Sequence, residues 1–482
     1  MNSLTNLFLL WNEAGVRYCH WKGNANLKNG FEGTSDLDIL VSIEDKTKAE
    51  KIMQKAGLIE FRTQYTSQIP DVFDWLYFDA ISGILCHVHL HYEMIAGKSG
   101  VMEYNLPFLS IAFNNRLYNN TYSLYTINPS VELIVLFTRI GLDSMGKKIQ
   151  KSKSGYVLSK KTIKEIEYLK RLAEEKTVIK ILNDYFGNYA AKVNKLINKE
   201  ALSSSDIIFL RSVCPIIFKS CKRYGFFKTY LMSFEKKAVS NFIKIFRNKI
   251  SGVVITKKTP KNGYGLVIAF LGQDGSGKST VSEDIEKWLT WKIDAKRFYM
   301  GSGDHWNPWQ KSMLHIIPNI PIFKPLRGLI SLSLTMSLAN EKLNVIKKAQ
   351  NYKNRGGIAL FDRFPQIAYK GINDGPRIRV KYMPMFGNGM IKPIVEWLAN
   401  REEKKIEMAC NMSPQIVFKL MLSPEESMRR KPFEKYNEVK KKHEIIKHLE
   451  FPDSDVYTID ATQQYEEELV QIKRIIWQHI PK

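Results

Sequence analysis

A chain of 482 residues exceeds one ordinary hydrophobic core, so its length predicts two or three domains. With 44% apolar and 25% charged residues it is neither disordered nor fibrous, and no apolar run approaches the roughly 18 residues of a membrane span. The net charge of +24 is uneven: residues 131–260 carry 27 Lys and Arg against 10 Asp and Glu, residues 1–130 carry 10 against 13. Five scattered cysteines without a C-x-x-C pair exclude a disulfide framework or structural zinc site. An N-terminus with neither a basic start nor a small-residue cleavage site points the same way, to a cytoplasmic protein.

Residues 1–125 alternate helix-like and strand-like stretches, with strands expected at Leu37–Ser42 and Ile84–Tyr92 and a helix near Lys46–Ala56. Asp36 and Asp38 stand two apart on the first strand and so share a face, as carboxylates holding one Mg²⁺ must. In CHVHLHY, His87, His89 and His91 also share a face; they read either as imidazole ligands for a metal or as a hydrogen-bonded polar surface. The stretch HWKGNANLKNGFEGTSDLDILV, His20 to Val41, resembles the nucleotidyltransferase superfamily that includes DNA polymerase beta: Gly23-Asn24, then Asp36-Leu37-Asp38-Ile39. The resemblance implies a small α+β domain with Asp36 and Asp38 on Mg²⁺. Two departures stand out: Asn24 replaces the usual Gly or Ser, and His89 occupies the position of a third carboxylate. They leave either a weakened transferase or a binding domain.

Residues 126–254 read as a basic helical domain. In GFFKTYLMSFEKKAVSNFIKIFRNKISG, Phe227, Leu231, Phe234, Ala238, Phe242 and Ile245 recur at helical spacing, with Lys228, Lys236, Lys237, Lys244, Arg247 and Lys249 between them. Such a helix suits packing between two domains with a wet outer face; it also suits an anionic membrane surface, at the inner face of the membrane, or nucleic acid. Residues 255–264, rich in Lys, Pro, Gly and Asn, read as a linker.

From residue 265 strands and helices alternate, as in a parallel α/β sheet. The apolar run Leu266–Leu271 leads into Gly272-Gln273-Asp274-Gly275-Ser276-Gly277-Lys278-Ser279-Thr280, followed by a helix-compatible run. This is a phosphate loop: glycines let successive N–H groups curl inward, Lys278 reaches the β- and γ-phosphates of ATP, and the Ser279 hydroxyl meets Mg²⁺. A second buried strand ends in Asp362-Arg363, placing a carboxylate near the metal and a guanidinium near the moving phosphate. A third leads into SPEESMRRK, where Arg429 and Arg430 open a charged helical segment that reads as a lid or as a solvated helix.

Residues 265–482 resemble the thymidylate kinase family of P-loop phosphotransferases, on G-Q-D-G-S-G-K-S-T at 272–280, D-R-F at 362–364 with A-Y-K-G at 368–371, S-P-E-E-S-M-R-R at 423–430 and V-Y-T-I-D-A-T at 456–462. The resemblance implies that Asp274 faces the acceptor, Asp362 supports metal and loop, Arg363 grips the acceptor phosphate, and Arg429 or Arg430 serves as catalytic arginine. The family's thymidylate-holding segment is replaced by residues including His305, Trp306 and Trp309, and Lys370 replaces a glutamine. The expectation is a Mg²⁺- and ATP-dependent kinase acting on a nucleoside monophosphate, with a sugar or glycan hydroxyl of a surface-polysaccharide pathway as rival acceptor. The alternatives are a nucleotidyltransferase acting through Asp36 and Asp38, with the P-loop domain as its regulator, and a scaffold on RNA or membrane.

Overall fold

The computed structural model describes residues 4–98, 100–143, 148–152, 155–247, 254–300, 327–386, 391–433 and 435–482. The chain falls into two compact units, Met1–Phe246 and Arg247–Lys482. His305, Trp306 and Trp309 lie outside the described residues.

In the first unit β1 (Tyr18–His20), β2 (Asp36–Val41), β3 (Ile59–Arg62), β4 (Val72–Phe78), β5 (Leu85–His91), β6 (Leu117–Asn119) and β7 (Leu124–Thr126) join in the order β3-β4-β5-β2-β1-β7-β6. β2 and β5 are parallel, with Asp36 opposite His87 and Asp38 opposite His89. β4 runs antiparallel to β5 and sets Asp74 opposite His89. The two-residue period of a strand then sorts the side chains. Leu37, Ile39, Cys86, Val88 and Leu90 enter a core with Leu4, Phe8 and Trp11 of α1 (Leu4–Glu13). Asp36, Asp38, His87, His89 and His91 are left on the other face.

A second core joins Cys19, Trp21 and Leu40 to the helices that follow, above all α2 (Pro129–Leu142) and α3 (Ser204–Ile217). The strands and most of the helical segment therefore share one hydrophobic interior. α2 starts with Pro129 and is capped by Asn128, whose side chain accepts from Ser130 N; its apolar sequence is buried almost throughout. By contrast α4 (Phe226–Arg247) turns Phe226, Phe227, Tyr230, Leu231 and Phe234 outward. Its inner side holds buried Ser233 and Lys236, which donates to the carbonyls of Gln68 and Gly100. Among the described residues no helix is long and apolar enough to cross a membrane.

The second unit is a parallel sheet of β8 (Val267–Gly272), β9 (Ala295–Phe298), β10 (Ile358–Phe361), β11 (Ile416–Met421) and β12 (Asp455–Asp460), ordered β9-β10-β8-β11-β12. Burial on both faces explains why β8 and β10 read as unbroken apolar runs rather than alternating ones, and why β11 is broken by Lys419 alone, whose Nζ donates to the Lys447 carbonyl. Ala269 pairs with Phe361, so the loop after β8 and the Asp362-Arg363 pair after β10 emerge side by side at the carboxyl edge of the sheet.

Candidate active site

The loop after β8 ends at α5 (Lys278–Thr290), whose first turn carries no side-chain cap. Its exposed N–H groups and the helix dipole favour an anion there. Three glycines make the curl. Gly275 and Gly277 sit at φ 87° and 85°, and at Gly272 a Cβ would lie 2.7 Å from the Leu420 carbonyl and collide with the Ser276 hydroxyl. Lys278 folds back so that Nζ donates to the Gln273 carbonyl at 2.8 Å. Burial lowers its pKa to about 8, against the pull of Asp274. The Ser276 hydroxyl is buried without a partner, while Ser279 and Thr280 are exposed.

Next to the loop opens a cavity of about 440 Å³, lined by Asp274, Lys278, Asp362, Arg363, Arg377 and Lys442 among others. Burial raises the Asp274 carboxyl pKa, but the hydrogen bond and charge of Lys442 outweigh it and hold the group below the usual carboxylate range. Asp362 moves the opposite way: burial raises it beyond what Arg363 offsets, and its Oδ1 has no hydrogen-bond partner. At the far wall Asn373 and Asp374 hold φ of 48° and 63°, a costly backbone for residues other than glycine. Asp374 is anchored by Lys342 at 2.8 Å, and the buried Asn373 Nδ2 has no hydrogen-bond partner. Both belong to the INDG stretch, Ile372 to Gly375.

The charged segment after β11 forms α6 (Pro424–Arg430) and α7 (Tyr436–His448). Ser427 donates to the Asp274 carbonyl at 2.6 Å, tying α6 to the phosphate loop. Arg429 is exposed and paired with Glu426. Arg430 shares Glu426 and reaches the carbonyls of Gly275 and Ala461 at 3.4 and 3.0 Å. Neither lines the cavity, whose cationic wall on this side is Lys441 and Lys442 from α7. Those lysines, Arg377 and Asp374 escaped the sequence reading; the only signal was a lysine run inside a helical pattern and a polar INDG turn.

In the first unit Asp36 and Asp38 come together with all three histidines, and Asp74 joins them. His87 is fully buried, its Nδ1 2.7 Å from Asp36 and its Nε2 2.9 Å from Asp74. His89 lies 3.3 Å from Asp38 through Nδ1 and 3.2 Å from Asp74 through Nε2. His91 Nε2 and Lys22 Nζ reach the same Asp38 oxygen at 3.1 and 3.0 Å. Burial works against the Asp38 charge, yet Lys22 and the imidazoles hold its pKa well below normal. Asn24 donates its N–H and side-chain amide to Glu132 of α2, whose pKa burial raises to about 7. Asp74 and Glu132 were missed in sequence, although each is a lone acid in an otherwise apolar run.

The donor sets differ in what they fit. Around the phosphate loop, Ser279 and the unpartnered Asp362 oxygen suit the oxygen-seeking Mg²⁺. The first unit offers imidazoles where a third carboxylate was expected, and Lys22 already sits on Asp38. That set does not match a Mg²⁺ site.

No protein-family model matches the chain. It is similar to two proteins of Escherichia coli strain K12. One is described as the uncharacterized ATP-binding protein YghR, 25% identical over 229 residues, which are 44% of this chain and 86% of that protein. The other is the uncharacterized ATP-binding protein YghS, 25% identical over 226 residues, 44% of this chain and 92% of that protein. Among solved structures it is similar to the deoxyadenosine kinase from M. mycoides with bound dATP, at 17% identity, 44% of this chain, 99% of that chain and a TM-score of 0.28.

Proposed function

We propose that the second unit is an ATP-dependent phosphotransferase that passes the γ-phosphoryl group to a small molecule held in the cavity beside the phosphate loop. One observation carries the reading: Lys278 of the loop and the Asp362-Arg363 pair line the same roughly 440 Å³ space, so donor and acceptor can share it. The E. coli relatives described as ATP-binding support the nucleotide half.

In this reading the loop amides and Lys278 bind the β- and γ-phosphates, and Arg363 balances charge on the transferring group. Mg²⁺, when bound by Ser279 and Asp362, neutralises phosphate charge. Asp274 and Asp374, both held ionised by lysines, orient the acceptor's hydroxyls or amines. The acceptor is a nucleoside monophosphate by the resemblance above, with a sugar or glycan hydroxyl as rival. Incubation with γ-³²P-ATP and a panel of nucleoside monophosphates, sugars and glycans tests this. Transfer that persists undiminished in Lys278→Ala ends it.

The alternative is nucleotidyl transfer in the first unit, which rests on the resemblance around Asp36 and Asp38 and which the imidazoles and Lys22 on those carboxylates weigh against. Label from α-³²P-NTP appearing on a product, and lost in Asp36→Ala/Asp38→Ala, would support it; no such label removes it.

For α4 we propose a seat on an anionic lipid surface. Phe226, Phe227, Tyr230, Leu231 and Phe234 form its outward stripe, and Lys228 and Lys237 lie at the edges, matching apolar depth with anionic headgroups. Vesicles containing phosphatidylserine should co-sediment the protein and neutral ones should not. Binding to RNA but not to vesicles overturns this seat.

A further inference from the structure

We propose that Asp38, His89 and His91 form a two-histidine, one-carboxylate site for a first-row transition-metal ion such as Zn²⁺, Mn²⁺ or Fe²⁺, in place of the Mg²⁺ site that the Asp36/Asp38 pair resembles. The three residues each offer one ligand atom, all within 4.8 Å of one another. Metal–nitrogen and metal–oxygen bonds near 2.1 Å put neighbouring ligands of one ion about 3.0–3.4 Å apart. His89 Nδ1 and His91 Nε2 lie 3.3 and 3.1 Å from Asp38 Oδ1, so both imidazole–carboxylate separations match those around one ion.

The surroundings prepare the ligands. Asp74 lies 3.2 Å from His89 Nε2 and can fix the proton there, turning the Nδ1 lone pair toward Asp38. His91 Nε2 faces Asp38 Oδ1 at 3.1 Å, so in the free protein that nitrogen carries the proton a bound ion replaces, and the buried Nδ1 has no hydrogen-bond partner. In the rival triple, Asp36, His87 and His89, His87 is fully buried and held by Asp36 and Asp74 at 2.7 and 2.9 Å, closer than any carboxylate contact of the more exposed His89. Imidazole also selects the class of ion, since Mg²⁺ prefers oxygen ligands and first-row transition metals accept nitrogen. Lys22, 3.0 Å from the ligating Asp38 oxygen, is the internal competitor that a bound ion must displace.

The test uses the full chain, stripped of metal and dialysed against Zn²⁺, Mn²⁺ or Co²⁺ without nucleotide, with bound metal measured by elemental analysis and Co²⁺ by its visible spectrum. One ion per chain is expected, and a Mg²⁺ excess should not displace it. His91→Asn should weaken binding at least tenfold, and Asp74→Asn should weaken it roughly ten- to a hundredfold. Lys22→Met replaces no ligand and should tighten binding several-fold; circular dichroism shows whether each variant is folded. Failure of the wild-type chain to retain any of the three ions, or an unchanged affinity in folded His91→Asn, overturns the proposal. So does weaker binding in Lys22→Met, which would make the lysine a support rather than a competitor.

Discussion

At the sheet edge of the second unit, polar groups wait for a partner: the amides opening α5, the Ser276 hydroxyl and one oxygen of Asp362. On the sheet face of the first unit, the charges already answer one another, with Asp36, Asp38 and Asp74 met by His87, His89, His91 and Lys22. Both arrangements arise where neighbouring strands bring chemistry from distant sequence into register. The difference lies in what a ligand must do. A phosphate entering the second unit fills vacant donors, while a cation entering the first must replace a lysine or a proton. An open site shows its ligand class by its unsatisfied groups; a self-neutralised one shows it only through geometry and donor type.

Separating the two regions experimentally is the largest expected effect. Lys278→Ala should lower phosphoryl transfer about a thousandfold, in line with losing one charged donor to a transition state, and leave metal retention by the first unit unchanged. Equal loss of both would show that the two sites are not independent. Next in size is Gly272→Ala. The added methyl must push aside the Leu420 carbonyl and Ser276, at a cost of about 1–3 kcal/mol, so calorimetry should find ATP binding weakened roughly ten- to a hundredfold.

A pH experiment sharpens the contrast. Lys278 faces Asp274 and Asp362, which favour its charge, and Arg363 and Lys431, which oppose it; burial dominates and sets its pKa at about 8. Between about pH 8 and 10.5 the free folded protein has lost a proton that the unfolded chain keeps, so this group's contribution to stability rises with pH across that window. ATP should return the proton. Calorimetry near pH 9 in two buffers of different ionisation enthalpy should therefore register net proton uptake on binding, absent in Lys278→Met. The smallest effect is expected of Ser427→Ala, which removes one hydrogen bond from α6 to the loop. It should cost about 1 kcal/mol, seen as a several-fold rise in KM for ATP.

The phosphate loop was legible in the chain because its chemistry is local: the glycines, Lys278 and Ser279 act through a backbone curl that nine consecutive residues specify. Asp36 and Asp38 were legible for the same reason, since a two-residue spacing on a strand fixes a shared face. The register of β2, β4 and β5 decided what local pattern could not. It set Asp74 opposite His89 and closed His87 between two acids, a pairing of residues up to 51 positions apart. It likewise took tertiary folding to line the cavity with Asp374, Arg377 and Lys442 while Arg429 turned to Glu426. The sequence by itself determined which groups could bind phosphate or metal, because composition and short-range geometry limit the chemistry. Only the packed strands and helices decided which of them meet, because burial and register bring together charges that the chain keeps far apart.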